Sequence, residues 1–223
     1  MTKGLFVQAI WKFALGVILI GLLLFLPAGS FAYWNAWLFM AVLFVPMFLA
    51  GIVMMVKNPE LLRKRLNARE REAEQGTVIK LSGIMFILGF VVAGLNFRYG
   101  WMILPDCVSW AGAAVFLLAY ALYAEVLREN TYLSRTIEVQ AGQRVIDTGL
   151  YGVVRHPMYC VTLVLFLSMP FVLGCVYSAV IFLAYPPLIA KRIRNEEEVL
   201  EAELPGYAEY QKRVRYKVIP FVW

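Results

Sequence analysis

The chain alternates long apolar blocks with short polar interruptions. The first block runs from about Phe13 to Leu26, behind Lys3 and Lys12, and ends in AGSFA. The small residues Ser30 and Ala32 would also suit a cleaved leader, but another long apolar segment follows almost at once, so the block is read as a first transmembrane helix. The second block, Trp34 to Val56, is long enough at about 1.5 Å per residue to cross a hydrocarbon core of roughly 30 Å, and Tyr33, Trp34 and Trp37 suit an interfacial belt. A third span is expected from about Leu81 to Phe97 and a fourth from Val108 to Leu127, separated by RYGWMILPDC.

Polar segments interrupt this pattern in two places. KNPELLRKRLNAREREAEQG opens with Asn58 as an N-cap and Pro59 at N1, which predicts a short amphipathic helix outside the bilayer; a solvated linker helix is its plainer reading. The second polar segment runs from Arg128 to Pro157 and is rich in Thr, Gln, Arg and Gly. The apolar run that follows, Tyr159 to Ile189, is too long for one ordinary span and short for two, and Pro170 and Gly174 interrupt it. A tight helical hairpin turning near Pro170 to Gly174 is predicted. The expected fold is an all-α polytopic membrane protein, with four transmembrane helices, then a helical hairpin, then a cytoplasmic C-terminal segment.

Composition agrees: 61% of the 223 residues are hydrophobic and 16% charged, and the mean hydropathy is +0.70. The net charge of +6 raises the question of nucleic acid, but topology absorbs it. With the N-terminus inside and the hairpin counted as two passes, every Lys and Arg except Arg98 falls on the cytoplasmic side. A single pass between Arg155 and Lys191 would strand one basic cluster outside. Cys107, Cys160 and Cys175 are an odd number without CxxC spacing, and His156 is the only histidine, so neither a disulfide framework nor a metal centre is expected.

The hairpin brings its entry at Tyr159 and its exit at Lys191 to one membrane face, where NTYLSRTIEVQAGQRVIDTGLYGVVRHPMY, KRIRNEEEVL and PGYAEYQKRVRYKVIPFVW converge. Aromatics, arginines, carboxylates and the histidine then meet where water gives way to lipid, a setting for a soluble cofactor and an apolar acceptor. GLYGVVRHPMY resembles the G-x-Y-x-x-x-R-H-P-x-Y element of the isoprenylcysteine carboxyl methyltransferase family and its wider membrane methyltransferase relatives. RIRNEEEVL is similar to the family's R-x-x-x-E-E-x-x-L, and GYAEY and VIPF follow in order; the likeness covers the chain from Asn130 onward.

The resemblance implies S-adenosylmethionine as cofactor, bound without a G-x-G-x-x-G loop. It implies cofactor contacts from Gln140, the strip Gln143, Arg144, Val145 and Ile146, then Tyr151, the run His156, Pro157, Met158 and Tyr159, and Glu196. Arg192 matches the position that meets the acceptor; Arg155 is taken as a second catalytic candidate, with a topogenic charge as its other reading. The chain is then one integral-membrane methyltransferase domain over 1–223, with N-terminal helices in 1–127 and a cofactor-binding core in 128–223.

The residues themselves suit this chemistry. Pro157 at a helix start leaves free N–H groups for an anion such as a methionine carboxylate. Glu196 or Glu197 can pair with its ammonium, and Tyr151, Tyr159 or Tyr207 can face a sulfonium, an attraction of ~0.5 to 2 kcal/mol. In-line methyl transfer needs alignment and exclusion of water more than a general base. His156 can instead cap a turn, and Glu196 to Glu198 can be a solvated face. The expected activity is methyl transfer to an apolar or lipid-attached acceptor at the cytoplasmic face. A prenylcysteine carboxylate, a phospholipid amine and a small thiol all remain open as that acceptor. The competing enzyme class is an NADPH-dependent sterol-type reductase, which shares an H-P-x-Y-like hairpin and a Y-x-x-Y tail. A scaffold or transporter fits less well, because the charges sit at one face rather than within the spans. Expected partners are the acceptor and membrane lipid, not nucleic acid; oligomeric state is left open.

Overall fold

The computed structural model describes residues 3–66, 73–133 and 139–223. The described residues form helices α1 (Lys3–Ala28), α2 (Trp34–Lys57), α3 (Pro59–Leu66), α4 (Ala73–Tyr99), α5 (Asp106–Glu129), α6 (Pro157–Val172), α7 (Val176–Phe182), α8 (Tyr185–Glu203) and α9 (Tyr207–Arg213). A single 3-10 turn, Gly149–Gly152, precedes α6. Five stretches are long and apolar enough to cross a membrane: α1, α2, α4, α5 and the combined α7–α8 stretch Val176–Glu203; α6 is shorter but equally apolar. Large exposed apolar residues such as Leu15, Ile18, Val45, Leu49 and Leu118 suit contact with lipid chains rather than water.

Several boundaries move outward from the apolar blocks, because a helix does not stop where its hydrophobic residues do. Helix α4 begins eight residues before the expected Leu81, with Ala73. The α2–α3 corner follows the capping reading. Asn58 closes α2 through its own N–H to Met54 O, and its Oδ1 accepts from Leu61 N at 3.0 Å, with Pro59 leading α3. The remainder of that polar stretch, 67–72, lies outside the described residues, as do 134–138 with Arg135.

The apolar run after Tyr159 breaks where Pro170 and Gly174 suggested. Helix α6 ends at Val172, and Gly174 takes a left-handed φ of +67° that a side chain would resist. The descending arm carries a second break absent from the sequence reading, at Leu183–Ala184. There Pro186 and Pro187, which lack amide hydrogens, fit the opening turn of α8. Helix α6 packs on α5, α7 and α8, and α4 lies against α1, α7 and α8. Rings fill the centre: Phe86 meets Phe166 at 4.9 Å and Phe182 at 5.3 Å, and Phe39 meets Phe90 at 5.5 Å. Gly89 leaves room for the buried Phe182 ring, with which a Cβ would collide.

Candidate functional site

The start of α6 and the end of α8 meet at one end of the bundle. The 3-10 turn is closed by Tyr151 N donating to Thr148 O at 3.0 Å, and Gly149, at φ +54°, makes the bend leading into it. His156 is the N-cap residue of α6, and Pro157 follows in its first turn. The expectation of free amides there meets a competitor. Pro157 has no hydrogen, Tyr159 N and Cys160 N both donate to His156 O, and His156 N donates to Lys217 O at 2.8 Å. The C-terminal segment has taken up part of the anion site that the helix start would otherwise offer. It also takes Arg155 N through Tyr216 O at 2.9 Å.

Two adjacent carboxylates on α8 do different work. Glu197 is buried, and its Oε1 lies 2.7 Å from Arg155 Nε and 3.1 Å from His156 Nε2, while its Oε2 is 2.5 Å from Lys217 Nζ. Arg155 Nη1 donates to Val214 O at 2.8 Å and Arg215 O at 2.9 Å. This cluster ties the entry of α6, the end of α8 and the tail into one knot, and three cationic or polarisable partners make an anionic Glu197 tolerable away from water. Glu196 instead accepts from the Tyr159 hydroxyl, which itself accepts from Arg192 Nε at 2.9 Å. One turn apart on α8, Arg192 and Glu196 are thus bridged through a single phenol.

Helix α9 closes the polar end. Leu204, Tyr207, Tyr210 and Val214 form a small apolar cluster with Val139, Val145 and Leu200 packed against it. Tyr210 donates to Tyr151 O at 2.7 Å. The Tyr207 hydroxyl is shielded from solvent without a hydrogen-bond partner among the described residues. Burial first, and then the carboxylates of Glu197 and Glu196, push the Tyr207 phenol well above its ordinary range, so it stays protonated.

Between these elements lies a cavity of 490 Å³. Its polar lining includes Tyr132, Tyr151, His156, Glu196 and Tyr207, and its apolar lining includes Val78 and Phe86 of α4, Phe166 of α6 and Ile189 of α8. Of the expected site residues, Gln143, Arg144, Val145, Ile146, Tyr151, Arg155, His156, Met158, Tyr159, Arg192 and Glu196 line it. Gln140, Pro157 and Glu197 do not. Gln140 N donates to Gln143 Oε1 at 2.9 Å and its side chain to Tyr132 O, bonds that shape the loop. The α4 wall and the Lys217 contact went unread, since nothing in an apolar span or a basic tail marks which residues fold onto a site. The Y-x-x-Y spacing was the one available sign of α9.

Residues 110–202 match the model of the isoprenylcysteine carboxyl methyltransferase (ICMT) family. A curated relative, the Delta(14)-sterol reductase of Mus musculus, is 33% identical over 91 residues, covering 40% of this chain and 22% of that protein. This chain therefore corresponds to only a minor part of that relative's length. The matched region carries α6, the Arg192–Glu196 bridge and the Arg155, His156 and Glu197 part of the knot, whereas α9 and the tail, with Lys217, lie beyond it. With five apolar stretches of membrane length among its described residues, the chain is a multi-pass membrane protein whose residues 110–202 match the ICMT family model.

Proposed function

We propose that this protein transfers a methyl group from S-adenosylmethionine to an apolar or lipid-attached acceptor at the cytoplasmic membrane face. The observation that carries this reading is one cavity lined both by polar and charged residues, Tyr151, His156, Glu196 and Tyr207 among them, and by apolar residues of α4, α6 and α8. Its 490 Å³ falls within the roughly 300–1,000 Å³ usual for small-molecule sites. The residues also fit the cofactor: Glu196 offers an anion for an ammonium, aromatic walls suit a sulfonium, and Tyr207 holds an unspent hydroxyl.

Bound S-adenosylmethionine supplies a methyl group on a positively charged sulfur, open to in-line displacement by a carboxylate, thiolate or amine. The protein's part is positioning and exclusion of water. Tyr159 holds Glu196 in the polar lining and Arg192 toward the acceptor, so both partners are registered against one hydroxyl. Arg155, engaged by Glu197 and two tail carbonyls, acts as a positioning residue that keeps the α6 entry closed against the tail. No general base is needed for an acceptor that is already a nucleophile. A prenylcysteine-type carboxylate suits Arg192 best, since a guanidinium orients a carboxylate through paired hydrogen bonds.

The likeness to a sterol reductase favours a second reading, NADPH-dependent reduction of a membrane lipid. Equilibrium binding of both cofactors to detergent-purified protein separates the two. The methyltransferase reading predicts saturable binding of S-adenosylmethionine, no competition by NADPH, and transfer of labelled methyl to a prenylcysteine substrate in vesicles. NADPH binding without S-adenosylmethionine binding would reverse the assignment.

A further inference from the structure

Helix α9 carries two tyrosines one turn apart that both line the cavity, and the structure treats them differently. The Tyr210 hydroxyl is used within the protein, on Tyr151 O. Tyr207 is only 4% exposed, and its hydroxyl meets no partner among the described residues. A buried donor left unmade is costly, and a ligand that accepts from it recovers that cost. The charges around it narrow the ligand group. Burial first, and then Glu197 and Glu196, keep the phenol protonated, so its hydrogen is available to an acceptor on the ligand. Meanwhile the amides at the start of α6, the other source of donors for an anion, are partly consumed by His156 O and Lys217 O.

We infer that Tyr207 is a cofactor-binding residue whose hydroxyl donates to the α-carboxylate of the amino-acid end of S-adenosylmethionine, while Glu196 takes the ammonium. The assignment rests on the methyltransferase reading of the cavity and adds a contact from outside the matched region 110–202. It makes α9 part of the ligand site rather than a cover over it.

The test compares Tyr207→Phe with the wild-type full chain, in detergent, using two ligands: S-adenosylmethionine and its decarboxylated form. Tyr207→Phe keeps the ring and removes only the hydroxyl, so the unliganded variant melts at or above the wild-type temperature, whereas Tyr210→Phe melts lower. Affinity of Tyr207→Phe for S-adenosylmethionine falls roughly tenfold or more, as expected for a hydrogen bond to a charged group. Affinity for the decarboxylated ligand is the same in variant and wild type. Equal losses for both ligands, or no loss for either, would overturn the assignment. Failure of the wild type to bind S-adenosylmethionine at all would instead reject the methyltransferase reading and this contact with it.

Discussion

The two ends of the bundle are both polar, yet they are built on opposite principles. At the end away from the cavity, Tyr33 donates to Leu173 O at 2.6 Å and Asn35 to Ser109 Oγ at 2.9 Å. Asn96 exchanges two bonds with the Met102 backbone, at 2.9 and 3.0 Å. All these groups are neutral, and they are satisfied within the protein; among the described residues only the Ser178 hydroxyl, in the first turn of α7, lacks a partner there. At the cavity end the groups are charged, and among the described residues the Tyr207 hydroxyl and Arg65 Nε are shielded without partners. A closed neutral network specifies a fold, while a charged one with open donors is arranged for something that comes and goes. Substitutions at the far end should therefore change stability without affinity, and those at the cavity end should change affinity.

Glu197 is the sharpest exception, and its removal carries the largest expected effect. Glu197→Gln leaves Arg155 and Lys217 buried or half-buried without their anion, a loss of about 3–5 kcal/mol in unfolding free energy. Cofactor affinity should fall with it, since the α6 entry and the tail come apart together. Denaturant unfolding in detergent measures the first and equilibrium binding the second.

Next comes Gly94→Ala, where a Cβ would stand 2.6 Å from Leu24 O and 3.0 Å from Ala28 N. Backbone cannot yield as a side chain does, so α1 and α4 must separate, at about 1–3 kcal/mol. Cofactor affinity should stay within error of wild type. Asn35→Ala removes one bond and strands the Ser109 hydroxyl, costing about 1–2 kcal/mol, again with affinity unchanged. The smallest effect is expected at Tyr210→Phe, about 1 kcal/mol from the lost bond to Tyr151 O, read by thermal melting.

These contrasts also mark what could be read from the chain beforehand. The spans were legible because a bilayer demands long apolar helices, and the turn at Gly174 because glycine and proline signal it. The motif run from Tyr151 to Tyr159 and the Arg192–Glu196 pair were legible because their order and spacing resemble a family pattern. The split between Glu196 and Glu197 was not legible. Neighbouring carboxylates differ only in where α8 points them, and that depends on Lys217 and the tail folding back from far along the sequence. The break before Pro186 was equally hidden, since α8 accommodates both prolines in its opening turn.

The account stands most directly on cofactor binding measured across the two ends. Isothermal titration of purified wild type, Asn35→Ala and Glu196→Ala with S-adenosylmethionine should give equal affinities for the first two and at least a tenfold loss for the third, with Glu196→Ala still folded. Equal binding by all three, or none by the wild type, would contradict it.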